Sequence, residues 1–314
     1  MLELLIILAV LLVLLAALGI FLLCFACLRG RKDDLWDGAV LDRRGYGMLK
    51  KTVAESRDWF LTQTVHRLQI FSYDAKRLCG LLVPAENARG TIILFHGWRS
   101  GWKLDFSSIM KYYHDKGLNL ILVDQRSHGE SRGTFITFGV KESRDVVSWV
   151  TYAGQMFGPE HPIFLGGISM GASTVLMAAD EEMPENIRGI IADCGFTNAY
   201  EEFESVVRRT GRKLPVRFLL ALMNVFTKIF AGFGLKDKST DEAVKYTSYP
   251  ILFVHGTADS FVPCGMTQRT YEACVSDKEL VLVEGAVHGM SYSTDPQRVT
   301  AALDAFIERN LGGV

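Results

Sequence analysis

A serine between two glycines is the residue in this sequence that is best suited to do chemistry. Ser169 lies in Gly167-Ile-Ser-Met-Gly171, directly after the β-rich run Ile163–Ile168 and before a helical pattern. At a strand-turn-helix junction of this kind the serine occupies a strained turn, which projects its hydroxyl away from the sheet. Side chains two positions before and after it would collide, and glycines remove that collision. The pattern therefore predicts that Ser169 is a nucleophile.

A serine hydroxyl is a weak nucleophile at neutral pH, so it requires a general base that is itself oriented by a carboxylate. After a junction of this type the chain order is serine, acid, histidine. His288 follows the predicted strand Leu280–Val283 and is the last histidine in the sequence. The order therefore predicts His288 as the base.

Two aspartates compete for the role of the acid. Asp259 follows the predicted strand Ile251–His255, whereas Asp193 follows the preceding predicted strand, Ile187–Ala192. Consecutive strands are usually neighbours in a sheet, so the loop of Asp259 is expected next to the turn that carries His288. We favour Asp259 and keep Asp193 as the alternative.

A tetrahedral intermediate also needs two backbone N–H donors for its oxyanion. One is expected from the residue after the serine, Met170, and the other from the loop after the third strand, where Gly97-Trp98 stands. The N–H of Trp98 is the predicted second donor. An acyl pocket near these donors is predicted to be lined by Trp102, Phe196 and Met290.

Short β-rich runs alternate with helical patterns after residue 60, which is typical of a mostly parallel sheet with helices on both faces. The predicted strands are Val65–Phe71, Leu78–Val83, Thr91–Phe95, Leu118–Val123, Ile163–Ile168, Ile187–Ala192, Ile251–His255 and Leu280–Val283. The predicted helices are Leu104–Lys116, Val140–Phe157, Met170–Asp180, Met266–Cys274 and Asp295–Asn310. We therefore expect an α/β fold with eight strands, the first two forming an antiparallel pair.

The connection across residues 196–248 is too long for a plain link between two strands, and it is predicted to form a small helical cap. Within it, Leu214–Leu235 carries apolar side chains at helical spacing. This apolar stripe could pack on the body, line a substrate pocket or face a bilayer, and the sequence leaves these three alternatives open.

The first thirty residues are predicted to be a membrane anchor. Leu4–Leu28 contains no charged residue and would extend about 37 Å as a helix, enough to cross a bilayer once. A cleaved signal peptide is the alternative, but Glu3 precedes the run where a positive segment would be expected. Arg29, Arg31 and Lys32 follow it, so the body is predicted to be cytoplasmic. The expected organisation is an anchor at 1–30, a linker at 31–60 and a catalytic domain at 61–314.

Composition argues against several other functions. Lys and Arg number 34 and Asp and Glu number 35, so no overall positive field exists to attract nucleic acid. The sequence has no phosphate-binding glycine motif and no His, Cys or Asp cluster with metal-ligand spacing. Neither a cofactor nor a metal is expected, and the oligomeric state is left open.

The ordered motifs resemble those of the α/β-hydrolase superfamily, in particular its membrane-anchored serine aminopeptidase-like and Bem46-like bacterial branch. The resemblance covers about residues 65–311 and rests on His96-Gly97, Asp124-x-Arg126-x-x-Gly129-x-Ser131, Gly167-x-Ser169-x-Gly171, Asp259 and His288-Gly289. It implies an esterase or lipase-like serine hydrolase that cleaves a small-molecule or lipid acyl ester through an acyl-serine. An amidase, a peptidase, a thioesterase or a non-catalytic membrane scaffold are the alternatives.

Overall fold

The computed structural model describes residues 1–312 and contains an eight-stranded sheet in the order β1-β2-β4-β3-β5-β6-β7-β8. The strand β2 runs antiparallel to both of its neighbours, and the remaining pairs are parallel. This confirms the predicted mostly parallel sheet of eight strands. The strands are β1 His66–Phe71, β2 Arg77–Val83, β3 Gly90–Phe95, β4 Leu118–Asp124, β5 Ile163–Ile168, β6 Ile187–Asp193, β7 Ile251–Gly256 and β8 Lys278–Val283.

Helices cover both faces of the sheet, as predicted. They are α1 Leu2–Cys27, α2 Gly38–Arg43, α3 Lys50–Phe60, α4 Trp102–Asp105, α5 Met110–Asp115, α6 Glu142–Phe157, α7 Met170–Met177, α8 Ala199–Arg209, α9 Val216–Phe226, α10 Thr240–Ala243, α11 Cys264–Ala273, α12 Ser291–Thr294 and α13 Pro296–Leu311. Helices α6 and α7 share one apolar cluster with Ile93 of β3, while α5 and α13 share another with Ile92 and Leu94. Successive residues of a strand thus enter opposite cores, which explains the continuous apolar runs.

The helix predicted over Leu104–Lys116 is two short helices, α4 and α5. The Ser107 hydroxyl lies in the break between them and donates a 2.7 Å hydrogen bond to the carbonyl of Leu104. A serine that bonds to the backbone in this way competes with the helical ladder and favours a turn. The single predicted helix is therefore wrong at this point, although the segment packs on the predicted face.

The stretch predicted as a linker, residues 31–60, contains α2, α3 and a short 3₁₀ turn at Gly47–Leu49. Its apolar side chains form a small cluster with the side chain of Leu104 in α4. The stretch therefore packs on the body and does not hang free of it.

Helix α1 is long and apolar enough to cross a membrane. Residues 2–15 are exposed on all sides, whereas one side of the second half packs on the cap formed by α8, α9, a π-helical turn at Thr227–Ala231 and α10. Gly19 lies so close to α9 that a Cβ on it would collide with the Phe226 ring. Leu23, Ala26 and Cys27 are buried in the same apolar cluster as the cap.

The end of α1 is joined to the body by hydrogen bonds. The last carbonyls of a helix have no partner within it. Here the Trp98 indole donates to the carbonyl of Ala26 over 2.9 Å, and the Arg99 guanidinium donates to that of Leu28 over 2.9 Å. The N–H of Ile136 donates to the carbonyl of Cys27 over 2.6 Å. Loops that follow β3 and β4 thus hold this helix end.

Candidate active site

Three side chains that the sequence singled out lie in one hydrogen-bonded chain. The Ser169 Oγ is 2.9 Å from Nε2 of His288, and Nδ1 of His288 is 2.6 Å from Oδ2 of Asp259. Both distances lie within hydrogen-bonding range. The loops that carry these residues follow the parallel strands β5, β7 and β8, whose carboxyl ends all meet at one edge of the sheet. We call this edge the C-terminal edge.

The turn at Ser169 has the strained backbone expected from its flanking glycines. Ser169 has a φ of +57°, in the left-handed region that residues with a side chain seldom adopt. A Cβ on Gly167 would collide with the carbonyl of Gly171, and a Cβ on Gly171 would collide with that of Phe95. The N–H of Ser169 donates to the carbonyl of Asp193 over 2.9 Å. Contacts on both sides therefore hold the strained turn in place.

The Asp259 carboxylate is buried, and both of its oxygens accept hydrogen bonds. Its Oδ1 accepts hydrogen bonds from the N–H groups of Phe261 at 2.8 Å and Val262 at 2.9 Å. Burial would raise the pKa of Asp259, but its bonds to His255 and His288 lower that pKa well below its usual range. A carboxylate that stays ionised can fix the tautomer of His288 and stabilise its protonated form.

His255 contacts Asp259, although no motif in the sequence indicates this contact. Its buried ring lies between the hydroxyl of Thr267, 2.7 Å from Nδ1, and the carbonyl of Val262, 3.0 Å from Nε2. The same Nε2 lies 3.3 Å from Oδ2 of Asp259. His255 therefore supports the loop of the acid from behind. A histidine at a strand end before glycine is too common a pattern to reveal this role.

Asp193, the alternative acid, makes a different contact. Its Oδ1 accepts a 2.8 Å hydrogen bond from the Ser291 hydroxyl. Burial raises the pKa of Asp193 to about 6, and the bond from Ser291 opposes that rise only in part. The geometry therefore favours Asp259, whose carboxylate is the one bonded to His288.

The loop after β3 lies against the serine. A Cβ on Gly97 would stand 3.4 Å from the Cβ of Ser169, in ordinary van der Waals contact. The N–H of Gly97 donates to the Asp105 carboxylate over 2.6 Å, and that of Arg99 donates to Nε2 of His128 over 3.0 Å. The N–H groups on either side of Trp98 are thus engaged away from the nucleophile.

Two backbone N–H groups are predicted to bind an oxyanion: that of Trp98 in the loop after β3 and that of Met170 at the start of α7. Neither N–H group has a hydrogen-bond acceptor within residues 1–312. Donors in the first turn of a helix have no partner inside it, and the helix dipole makes that end favourable for negative charge. The structure thus offers two unused donors beside Ser169, as an oxyanion site requires.

Apolar side chains surround this part of the C-terminal edge. Phe138 lies between Trp98 and Phe196, with ring centroids 6.4 Å and 6.3 Å away, and all three contribute to the cluster that also contains the end of α1. Phe196, one of the predicted pocket residues, therefore lies in the apolar layer around the serine. Met290, another of them, is half-buried just before α12.

Trp102, the third predicted pocket residue, lies elsewhere. Its ring packs against Phe60 at 4.9 Å and Trp36 at 5.5 Å, in the layer between the sheet and the helices that follow α1. Trp102 belongs to the apolar cluster that α4 and α5 form on one face of the sheet, whereas Phe196 belongs to the cluster that contains the cap. The structure therefore does not bring Trp102 together with Phe196 in one acyl pocket, as the sequence predicted.

One group of potential metal ligands overlaps the site. Cys194, Asp259 and His288 offer ligand atoms within 4.8 Å of one another. A thiol binds a metal as the thiolate, yet burial raises the pKa of Cys194 well above its usual value. Asp259 and His288 already bond to each other. This donor set therefore fits hydrogen bonding better than metal binding.

Comparisons with known proteins agree with the fold. A family profile described as the alpha/beta hydrolase fold matches residues 90–241. YqkD of Bacillus subtilis is 28% identical over 241 residues, which cover 76% of each chain. The lysophosphatidylserine lipase ABHD12 of Danio rerio is 24% identical over 176 residues, 55% of this chain and 44% of its own.

A solved structure has the same fold. An esterase of Pyrococcus furiosus superposes with a TM-score of 0.66 at 22% identity, over 81% of this chain and 94% of its own. The profile match, the relatives and the strand order agree with one another. The chain therefore has the α/β-hydrolase fold.

Proposed function

We propose that this protein is a serine hydrolase that cleaves a carboxylic ester through an acyl-serine intermediate. The observation that carries the proposal is the continuous hydrogen-bonded chain from the Ser169 hydroxyl through His288 to Asp259. A base 2.9 Å from the hydroxyl can take its proton without further movement.

In the proposed reaction, Oγ of Ser169 attacks the ester carbonyl while Nε2 of His288 takes the hydroxyl proton. The N–H groups of Trp98 and Met170 bind the negative oxygen of the tetrahedral intermediate. The intermediate collapses, the bond to the alcohol breaks, and His288 returns the proton to the leaving oxygen. A water molecule, deprotonated by the same histidine, then attacks the acyl carbon. The bond from that carbon to Oγ breaks, His288 returns the proton to Ser169, and the carboxylic acid is released.

Lipid or acyl esters are the proposed substrates. The apolar cluster beside Ser169 is continuous with the end of the apolar helix α1, so a hydrocarbon chain would find matching surface there. The relative from Danio rerio is named a lysophosphatidylserine lipase, which is a lipid ester hydrolase. This supports the chemical class and does not identify the head group.

We also propose that residues 4–28 form a single-pass membrane anchor, with the catalytic domain at 61–314 on the cytoplasmic side. The exposed apolar surface of residues 2–15 supports the anchor, because such a surface is unfavourable in water. The basic residues after α1 support the orientation. A retained helix, rather than a cleaved signal peptide, also fits the hydrogen bonds that tie its end to the body.

The experiment that tests the activity is labelling of the full chain with a fluorophosphonate, which reacts with an activated serine. We expect labelling of the wild type and of a Ser293→Ala control, since Ser293 is an exposed serine on α12. Ser169→Ala should abolish both labelling and turnover. Labelling that survives in Ser169→Ala would exclude this serine, and a wild type that neither labels nor turns over would favour a non-catalytic scaffold.

A panel of substrates separates the remaining reaction classes. p-Nitrophenyl esters of graded chain length, lysolipids, a thioester and an amide would be compared by kcat/KM on the same preparation. We expect esters with long chains to exceed short ones by at least about tenfold, since each buried methylene contributes about 0.8 kcal/mol. A preference for the amide or the thioester would replace the ester assignment while leaving the serine mechanism intact.

A further inference from the structure

Helix α9 of the cap is apolar on two opposite faces. Leu220 and Met223 face the protein and are buried. On the outward side, Phe218, Val225 and Ile229 follow one another at helical spacing and are 50%, 50% and 67% exposed. A helix on a water-facing surface carries polar residues on its outer side. We therefore expect the outer face of α9 to contact an apolar partner.

The charged residues of the segment that contains α9 are all basic. Residues 212–230 include four basic residues and no acidic one. Arg217 and Lys228 are exposed among the outward apolar side chains. Long basic side chains with aromatic and aliphatic neighbours are typical of segments that lie in a membrane interface, where the charged ends reach the lipid head groups. The composition of this segment therefore matches a lipid surface better than a protein one.

The length of α1 supports the same partner. Only residues 2–15 of α1 are free of the body, and these 14 residues extend about 21 Å. A hydrocarbon core is about 30 Å thick. If α1 crosses it, roughly 9 Å of the core must lie beside the part of the helix that packs on the cap. Phe226 of α9 touches α1 at Gly19, within this part.

We infer that the cap is partly immersed in the membrane, and that Phe218, Val225, Ile229 and Phe230 contact lipid. The inference rests on the proposed membrane anchor and extends it, because it assigns a second lipid-contacting surface on a different segment of the chain. The partner is the bilayer itself. It follows that the apolar cluster beside Ser169 reaches the lipid through the cap rather than through water.

The test uses the full chain in phospholipid vesicles, with the photoreactive amino acid p-benzoylphenylalanine placed at one position at a time. Phe230 is the test position, since the probe nearly matches its shape and the side chain is 54% exposed. Leu12 reports on the free part of α1. Val275 is the control, because it is 67% exposed and lies just before β8, at the edge of the sheet opposite to Ser169. Lipid adducts are measured by mass spectrometry after irradiation.

We expect lipid adducts at Phe230 at a level similar to those at Leu12 and at least about tenfold above those at Val275, since lipid is the only dense partner at membrane depth. Adducts at Leu12 with none at Phe230 would overturn the inference and leave the anchor intact. The absence of adducts at both positions would overturn the anchor as well. A crosslink from Phe230 to a second copy of the chain, seen as a band of twice the mass, would assign the outer face of α9 to a dimer instead.

Discussion

Two aspartates, Asp259 and Asp193, lie close to the C-terminal edge of the sheet, but they have different partners. The Asp259 carboxylate bonds to His288, whereas that of Asp193 bonds to Ser291. Asp259→Asn should therefore lower kcat on a p-nitrophenyl ester by about 10⁴-fold, because an amide cannot hold the histidine in the required tautomer or stabilise its positive charge. Asp193→Asn should keep kcat within about tenfold, since an amide oxygen can still accept the bond from Ser291.

The two variants are compared at equal concentration, with circular dichroism to establish that each is folded. If Asp193→Asn lost as much activity as Asp259→Asn while both stayed folded, the acid would have been assigned to the wrong strand.

Glu202 is a buried carboxyl on α8 whose two oxygens have no hydrogen-bond partner among residues 1–312. Burial, with a smaller contribution from the negative Asp259, raises its pKa from the ordinary 4.5 to about 8. The folded state therefore holds a proton that the unfolded state releases. Ionisation of Glu202 therefore does not reduce the free energy of unfolding below pH 4.5, but it reduces this free energy increasingly as the pH rises toward 8.

Glu202→Gln removes this loss, so the variant should be more stable than the wild type at pH 8 by roughly 2–4 kcal/mol, and the difference should vanish near pH 4.5. Thermal unfolding of the full chain in detergent at several pH values measures it. The neighbouring Glu201 provides a matched control of opposite sign. Burial alone would raise its pKa, but hydrogen bonds from Thr197 and Arg269 lower it, so Glu201→Gln should destabilise the protein at pH 8. A wild type as stable as Glu202→Gln at pH 8 would contradict the raised pKa.

A buried ion pair joins the loop after β4 to α6. The Arg126 guanidinium donates to the Asp145 carboxylate over 2.6 Å and 2.5 Å, and it also reaches Asp74 in the turn between β1 and β2 at 3.2 Å. Arg126→Met should lower the free energy of unfolding by about 3–5 kcal/mol, because it leaves the buried Asp145 without its partner.

The double variant Arg126→Met, Asp145→Leu should recover most of this loss, since two apolar side chains can replace a buried pair at little cost. Urea unfolding followed by circular dichroism compares the single and double variants. A double variant as unstable as the single one would mean that packing around Arg126, and not its charge, supports the loop.

Most of the sheet could be predicted because each strand is covered on both faces and therefore has an uninterrupted apolar sequence. The predicted bounds of β5, Ile163–Ile168, are those of the structure, and β7 differs by one residue. The positions of Ser169, Asp259 and His288 could be predicted for a related reason. Each follows a parallel strand, so chain order alone brings the three loops to one edge of the sheet.

Other features depend on contacts between distant segments, which local sequence does not encode. The stripe in α9 had three possible partners, and only the fold shows that one face packs on the protein and that its Phe226 touches Gly19. Nothing in Tyr200-Glu-Glu-Phe203 distinguishes the two glutamates, yet Glu201 pairs with Arg269 and Glu202 is buried. The break before α5 contains Ser107, whose hydroxyl bonds to the carbonyl of Leu104.

The proposed orientation of the protein in the membrane can be tested in cells. A tag at the C-terminus of the full chain should resist protease added to intact spheroplasts and should be degraded once the membrane is permeabilised. The reason is that Arg29, Arg31 and Lys32 favour the cytoplasmic side. A tag removed from intact spheroplasts would place the body on the outer side, while the membrane-bound fraction would still report on the anchor.

The joint at the end of α1 has a consequence for the choice of substrate. The loop that bonds to Ala26 and Leu28 is the loop that carries the Trp98 N–H, so no flexible segment separates the proposed membrane helix from the proposed nucleophile. This arrangement would keep Ser169 at a constant distance from the surface of the bilayer, which we call its height. Esters presented at that height should react fastest whatever their head group. The test uses vesicles that contain a series of lipids in which the ester lies at increasing distance from the glycerol. The turnover rate should have a single maximum along this series.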